Sequence, residues 1–175
     1  AVQLFSQSRG KLRYDDQISS FVPDILVDNQ YVVGTNNGDF NLKQSLIDSQ
    51  NAGIDAAKET GNKKDIGELI KDASEPYEFT TSDVVPYVLG SKPVTHGSKH
   101  FIDFQNDVTA SDIFLAQREG YISVEHTKRY TTTGMATDQG KTSNVNALAI
   151  MSHIQKKPVG EVGHTTFRPP YVPQT

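Results

Sequence analysis

No cysteine occurs among the 175 residues. That absence excludes disulfides, thiolate zinc sites, cysteine-held iron–sulfur clusters and cysteine nucleophiles. There is no excess of positive charge either: 17 Lys and Arg stand against 21 Asp and Glu, for a net charge of -4 and a sequence pI near 5.7. Without a basic field, a Lys/Arg run or an interleaved aromatic stripe, nucleic-acid binding is not expected. No apolar run approaches the ~20 residues of a membrane helix, and no charged-then-apolar signal segment opens the chain. A soluble protein in an intracellular compartment fits these absences. The five histidines, His96, His100, His126, His153 and His164, include no H-x-x-x-H pair with a neighbouring Glu, so no metal site is expected. No Gly-x-Ser-x-Gly elbow supports nucleophilic catalysis.

What the chain does contain centres on Gly134-Met-Ala-Thr-Asp-Gln-Gly-Lys-Thr-Ser-Asn144. This polar, glycine-punctuated loop is entered from Lys128-Arg-Tyr-Thr-Thr-Thr133 and leads into the apolar helix signal Val145-Asn-Ala-Leu-Ala-Ile150. Backbone N–H groups, hydroxyls and a cation gathered at a helix N-terminus favour an anion, here read as a phosphate. The nucleotide-triphosphate loop G-x-x-x-x-G-K-[ST] is a look-alike, but five residues separate Gly134 from Gly140. It also requires a buried strand ahead of it, whereas Glu125 to Tyr130 reads as the polar end of a helix.

Along the chain, residues 1–6 and 11–14 alternate weakly around an Arg9-Gly10 turn, predicting a hairpin-like β piece, with Phe21-Val-Pro23 extended. Ile25 to Val27 and Tyr31 to Val33 read as strands, the second running into the turn Gly34-Thr-Asn-Asn-Gly38. A helix is predicted over residues 39–60, with an inward stripe of Leu42, Ser45, Leu46, Ser49, Gly53, Ala56 and Ala57 suited to close packing on a sheet or a cofactor. A second helix is predicted over residues 63–73, then a Pro/Gly-rich linker. Beyond it, Thr109 and Asp112 form a capping-box pattern and Ser123 a further cap. Three short helices are predicted to surround the loop, with Ala110, Ile113, Phe114, Val145, Leu148, Ala149 and Ile154 facing inward. Gly163 to Arg168 reads as strand-like before Pro169-Pro170. The fold class expected is α+β. Its parts are the end of a dinucleotide-binding α/β region over 1–74, an extended linker over 75–100, a small helical domain over 101–160 and a second linker over 161–175.

Within this frame the anion reading gathers Thr131, Thr132 and Thr133 as hydroxyls, Arg129 and Lys141 as cations, and Gly134 and Gly140 for close backbone approach. Thr165-Thr-Phe-Arg168 adds a second hydroxyl and guanidinium group. The same residues also fit a solvated helix end with a capped loop, in which Thr142 or Ser143 satisfies orphan amides. Chemistry alone leaves both readings open.

Phe101-Ile-Asp-Phe-Gln-Asn-Asp-Val-Thr109, Arg118-Glu-Gly-Tyr-Ile-Ser-Val-Glu-His126, Lys128-Arg-Tyr-Thr-Thr132, the central loop and Thr165-Thr-Phe-Arg-Pro-Pro-Tyr171 resemble the α subunits of heterotetrameric sarcosine oxidases. Upstream, Leu4-Phe-Ser-Gln7, Gly10-Lys11, Phe21-Val-Pro23, Val33-Gly34 and Asn37-Gly38 resemble the end of that subunit's dinucleotide-binding region. The resemblance implies an internal piece of a longer polypeptide, ahead of a folate-binding, aminomethyltransferase-like region. It implies a cytoplasmic complex with β, γ and δ subunits that oxidatively demethylates sarcosine to glycine, yielding hydrogen peroxide and formaldehyde or methylene-tetrahydrofolate. FMN would be attached to the β subunit at the α–β boundary, with FAD, NAD and tetrahydrofolate elsewhere. On this likeness Thr132, Thr133, Gln139, Lys141, Thr166 and Arg168 would contact the flavin and its phosphate, no residue here would be catalytic, and the piece alone would be inactive. The helical part also resembles small [2Fe–2S] ferredoxin-type domains, with Asp103, Gln105, Asp138 and Ser143 standing where the four cysteines would be. That likeness implies a cluster-less relative. A non-catalytic subunit-interaction module and a subunit of a related amine or amino-acid dehydrogenase are the alternatives.

Overall fold

The computed structural model describes residues 2–27, 29–62 and 99–168, and these belong to two compact units. Its content is mixed, helices with two small antiparallel sheets, which is the α+β class.

The N-terminal unit opens on a short helix, α1 (Gln3–Gln7), where a strand was expected. Helical spacing turns Leu4 outward and Phe5 inward, and the Phe5 ring lies against Gly10. A Cβ at Gly10 would fall inside the 3.0 Å that real Cβ atoms essentially never show, so the ring takes the space that glycine leaves. β1 (Lys11–Asp15) and β2 (Ser20–Ile25) form a hairpin whose turn lies at residues 16–19 and not at Arg9-Gly10 as expected, with Tyr14 opposite Phe21 and their rings 5.1 Å apart edge to face. Pro23 is tolerated because it lies in a two-stranded sheet beside an irregular register.

Tyr31 to Val33 is irregular, not a strand, since no strand among the described residues pairs with it. It leads to a 3₁₀ turn (Gly34–Asn37) and then α2 (Leu42–Glu59). The Asn41 side chain caps α2 by accepting from Gln44 N–H at 2.9 Å. At the other end Gly61, with φ +84°, lets Gly61 N–H reach Lys58 O and Asn62 N–H reach Ala57 O, both at 2.9 Å. The expected inward stripe is a correction: no α2 residue is buried among the described residues, and Leu42 and Leu46 are exposed. Periodicity locates a face on a helix but not what covers it. The predicted second helix over 63–73 and the linker up to residue 98 lie outside the described residues.

In the C-terminal unit, β3 (Phe101–Asp103) pairs antiparallel with β4 (Val108–Thr109). α3 (Ala110–Arg118) begins where predicted, its Asp112 carboxylate accepting both the Thr109 N–H and hydroxyl at 2.8 Å. α4 (Val124–Thr131) is capped by Ser123, whose hydroxyl accepts from His126 N–H at 3.3 Å. α5 (Asn144–Gln155) lies across α3, and a single turn, α6 (Val159–Val162), follows Pro158 without having been anticipated. Ile102, Val108, Ala110, Ile113, Ala147, Ile150 and Met151 form the core, with Phe114, Val124, Ile154 and Val162 packed on it. Fully buried side chains such as Ile113, Ile150 and Met151 each contribute about 1.5–3 kcal/mol. Val145, expected inward, is exposed.

The buried Gln117 amide and the partly buried Gln155 amide tie the helices together. Gln117 Nε2 donates to Thr127 Oγ1 at 2.8 Å and to Tyr121 O, and Gln155 Nε2 donates to Gln117 Oε1 at 2.8 Å. Residues 163–168, predicted as strand-like, are irregular and pair with no strand; polar contacts of Thr165 and Arg168 fix them instead.

Candidate functional site

The loop between α4 and α5 is shaped by left-handed backbone at Thr132 (φ +64°), Gly134 (+69°), Gln139 (+53°) and Gly140 (+75°). Two of these are not glycine, and such residues visit that region only when the surroundings hold them there. The holding groups come from the turn after β3. Asp103 is buried, and its Oδ2 accepts the N–H of Gly134 at 2.8 Å while its Oδ1 accepts those of Gln105 and Asn106 at 3.0 and 3.1 Å. Gln105 Oε1 accepts from Asp138 N–H at 3.2 Å and from the Thr137 hydroxyl at 3.3 Å, and Asn106 Nδ2 donates to Thr132 O at 2.9 Å. Asp138 closes the loop on itself, taking Gly140 N–H at 3.0 Å and the Thr142 hydroxyl and N–H at 2.7 and 3.3 Å.

Asn144 is the centre of the second half. Its Nδ2 donates to Thr165 Oγ1 at 3.0 Å and lies 3.5 Å from Gln139 O. Its amide also occupies the space where a side chain on Gly134 or Gly140 would stand. Gln139 Nε2 donates to Ala136 O at 2.9 Å, and its Oε1 accepts Arg168 N–H at 3.3 Å, so the 165–168 segment is fastened to the loop at two points.

Of the anticipated residues, Gln139, Lys141 and Arg168 are thus brought onto one loop assembly with Thr165. Thr132 and Thr166 are exposed, while Thr133 is buried and its hydroxyl lies 2.7 Å from that of Thr131. Lys141 is partly engaged, its Nζ donating to Asp138 O at 3.3 Å and lying 5.9 Å from the centre of the Phe167 ring. The sequence reading passed over Lys128. This half-buried residue on α4 lines a small pocket with Thr133, Asn144 and Thr165, walled by Ile113, Val124, Ala147, Leu148 and Met151. The signal that could have found it is its place one helical turn after Val124, which lines the same pocket.

Electrostatics separate carboxylates from cations. Burial raises the pKa of Asp138, but the hydrogen bonds from Thr142 and Gly140, with the nearby Lys141 charge, outweigh it and leave the group below its ordinary 3.8. Desolvation lowers the pKa of Lys128; the neighbouring Arg168 and Arg129 lower it further, and Glu125 opposes them. Among the described residues, the Lys and Arg ion pairs within 4.0 Å are Arg13–Asp15 and Lys58–Asp55, both in the N-terminal unit. Among the described residues, Lys128, Arg129, Lys141 and Arg168 make no ion pair within 4.0 Å, although Glu125 acts on Lys128 and Lys141 on Asp138 at longer range. Among the described residues no group of three His, Asp or Glu side chains could hold a metal ion, and no helix is long and apolar enough to cross a membrane.

Two expected results follow from this geometry. Asp138 is depressed in the folded state, so its contribution is full above its unfolded value near 3.8 and disappears as pH falls through the lower folded value. Thermal melts followed by circular dichroism between about pH 5 and about pH 2 should show this dependence, reduced in Asp138→Asn. An unchanged acid limb in the variant would contradict it. Ser143 Oγ is fully buried and has no hydrogen-bond partner among the described residues, a condition that costs about 1–3 kcal/mol. Ser143→Ala should therefore raise the urea midpoint, by about 1 kcal/mol in stability; a lowered midpoint would mean that the hydroxyl has a partner.

A family model described as the sarcosine oxidase A3 domain matches residues 97–175, the segment that holds the loop and its cations. The chain is 38% identical over 174 residues to a sarcosine oxidase subunit alpha from Corynebacterium sp. (strain P-1), covering 98% of the chain and 18% of that relative. It is also 38% identical over 175 residues to the subunit from Corynebacterium sp. (strain U-96), with the same coverage. The subunit from Rhizobium meliloti (strain 1021) is 61% identical over 75 residues, 43% of this chain and 8% of that relative. The chain spans 18% of the length of the two relatives that match it throughout. With relatives along nearly its whole length and a family model over the loop-bearing unit, the chain belongs to the sarcosine oxidase α-subunit family.

Proposed function

We propose that this chain is the segment of a sarcosine oxidase α subunit that makes noncovalent contacts to FMN held mainly by a partner subunit, and that scaffolds that boundary. The observation that supports the reading is that Lys141 and Arg168, brought together at the loop, make no ion pair within 4.0 Å among the described residues. Both loop carboxylates are turned into the loop backbone, Asp103 onto Gly134, Gln105 and Asn106 and Asp138 onto Gly140 and Thr142. A phosphate at the rim would meet guanidinium, ammonium and hydroxyl groups, with those two oxygens otherwise engaged.

The residues present therefore fit the flavin. Arg168 and Lys141 would hold its phosphate, Thr132 and Thr166 offer exposed hydroxyls, and Gln139 orients Arg168 through its backbone. When bound, FMN supplies electron-transfer chemistry. The oxidation of sarcosine to glycine would occur on a partner subunit, with FAD there and NAD and tetrahydrofolate at other sites of a cytoplasmic αβγδ assembly. The N-terminal hairpin and α2 are read as the end of a dinucleotide-binding region. The helical unit is read as a cluster-less ferredoxin-type domain: Asp103 and Gln105 reach the loop that carries Asp138 and Ser143, as cluster ligands would have to converge. Exposed Phe104 and Met135 on the same turn and loop favour the additional role of docking a subunit.

Lys141→Ala combined with Arg168→Ala, in the assembled complex, is expected to lower FMN occupancy at least threefold while assembly persists, a loss of about 0.7 kcal/mol or more. Unchanged flavin absorbance in the double variant would refute the flavin role.

A further inference from the structure

We propose that Asn144 is a positioning residue of the flavin-phosphate site: its side-chain amide sets where the segment carrying Arg168 stands relative to Lys141. The proposal rests on the flavin-contact reading and adds to it the group that assembles the site. Asn144 is the first residue of α5, and the buried Ala147, Leu148, Ile150 and Met151 anchor that helix in the core. Its Nδ2 donates to Oγ1 of the buried Thr165 at 3.0 Å and lies 3.5 Å from Gln139 O. Residues 163–168 pair with no strand among the described residues, so a side chain carried on a rigid helix is what fixes them.

The two glycines of the loop serve the same arrangement. Gly134 and Gly140, expected from the sequence to let backbone approach a ligand, both face Asn144, and a Cβ on either would fall inside 3.0 Å of its side chain. They leave room for the amide that reaches across to Thr165. A second hold comes from Gln139, whose Oε1 accepts Arg168 N–H at 3.3 Å. Between the two holds, the centre of the Phe167 ring lies 5.9 Å from Lys141 Nζ, which brings the ammonium beside the residue that precedes Arg168. Lys141 gives one N–H to Asp138 O and keeps its others for a phosphate oxygen. Without the Asn144–Thr165 bond, the segment retains only the longer and more exposed of these two hydrogen bonds to the loop. Arg168 would then lose its fixed place opposite Lys141, and a phosphate would have to order the segment as it binds.

The test uses the assembled oxidase, with flavin absorbance for FMN occupancy and circular dichroism melts for folding. Thr165→Val keeps the shape of the side chain and removes the oxygen that Asn144 reaches. It is expected to lower FMN occupancy about threefold or more, while Thr165→Ser, which keeps that oxygen, holds the parent level. Asn144→Ser, too short to reach Thr165 and small enough to leave both glycine turns their room, should behave like Thr165→Val. A residue that acts through Arg168 has little left to lose once Arg168 is gone. In an Arg168→Met background, Thr165→Val should therefore lower occupancy by less than about twofold further. Full occupancy in Thr165→Val or Asn144→Ser, with flavin lost from the Lys141→Ala, Arg168→Ala double variant, would overturn the positioning role and leave the flavin reading standing. Equal fold-losses in the parent and Arg168→Met backgrounds, or a loss in Thr165→Ser as large as in Thr165→Val, would overturn it too. Failure of both Thr165→Val and Asn144→Ser to fold or assemble would give the bond a structural role alone and overturn the proposal. Unchanged flavin in the Lys141→Ala, Arg168→Ala double variant would overturn both the proposal and the reading beneath it.

Discussion

Replacing Asp103 with alanine is expected to lower the stability of the C-terminal unit by about 3 kcal/mol or more, the largest effect of any single polar substitution here. The carboxylate is almost fully buried and accepts three backbone N–H groups, those of Gly134, Gln105 and Asn106. Hydrogen bonds to a charged group are each worth about 1.5–3 kcal/mol, and a buried donor left without a partner costs about 1–3 kcal/mol. The bond to Gly134 spans 31 residues and fixes the start of the loop on β3. Its loss should therefore loosen the loop as well as weaken the fold. Asp103→Asn retains one oxygen but turns an N–H₂ toward one set of donors, so it should recover only part of the loss. Urea unfolding measures both variants; a cost below about 1 kcal/mol for the alanine would show that solvent readily replaces these bonds.

Gly140→Ala is the second large effect. Its φ of +75° disfavours any side chain, and an added Cβ would overlap Asn144, inside the 3.0 Å limit. Left-handed backbone costs about 1–2 kcal/mol for a non-glycine residue, and forced repacking typically adds about 1–3 kcal/mol. Asn144 cannot simply turn aside, since its Nδ2 is bonded to Thr165 Oγ1. The substitution should cost about 2–4 kcal/mol and, by displacing Asn144, release Arg168 from the loop. Gly120→Ala isolates the backbone share: its φ is +93°, yet nothing lies within 4 Å of its would-be Cβ. Equal losses from the two alanines, read from urea midpoints, would mean that the overlap with Asn144 is relieved at no cost.

The parts of the fold legible in the sequence are those in which one residue satisfies a nearby backbone group. Asn41, Thr109 with Asp112, Ser123 and Gly61 mark helix ends by bonds spanning five residues or fewer, and the helices begin or stop there. α1 was missed because five residues give little periodicity and its anchor is the contact of Phe5 with Gly10, a packing event. Residues 31–33 and 163–168 have strand-like composition, but β-structure needs a partner that composition does not announce. The exposed α2 stripe shows the same limit from the other side.

The site divides in the same way. Gly134, Gly140, Lys141 and the 165–168 hydroxyl and guanidinium group could be marked from residue type and spacing. That Lys141 donates to Asp138 O while Lys128 lines a pocket with residues of α3 and α5 depends on tertiary packing, which residue types alone do not encode. The reading of Asp103, Gln105, Asp138 and Ser143 as standing in for cluster ligands came from family likeness; residue spacing gave no sign that Asp103 accepts from Gly134 N–H or Gln105 from Asp138 N–H.

The most direct test of the flavin-contact reading is a structure of the full-length α subunit in its assembled oxidase with flavin bound. The flavin phosphate is expected within hydrogen-bond reach, about 3 Å, of the Arg168 guanidinium and the Lys141 ammonium. A flavin phosphate held entirely by another subunit, with the 134–144 loop turned away from it, would contradict the reading.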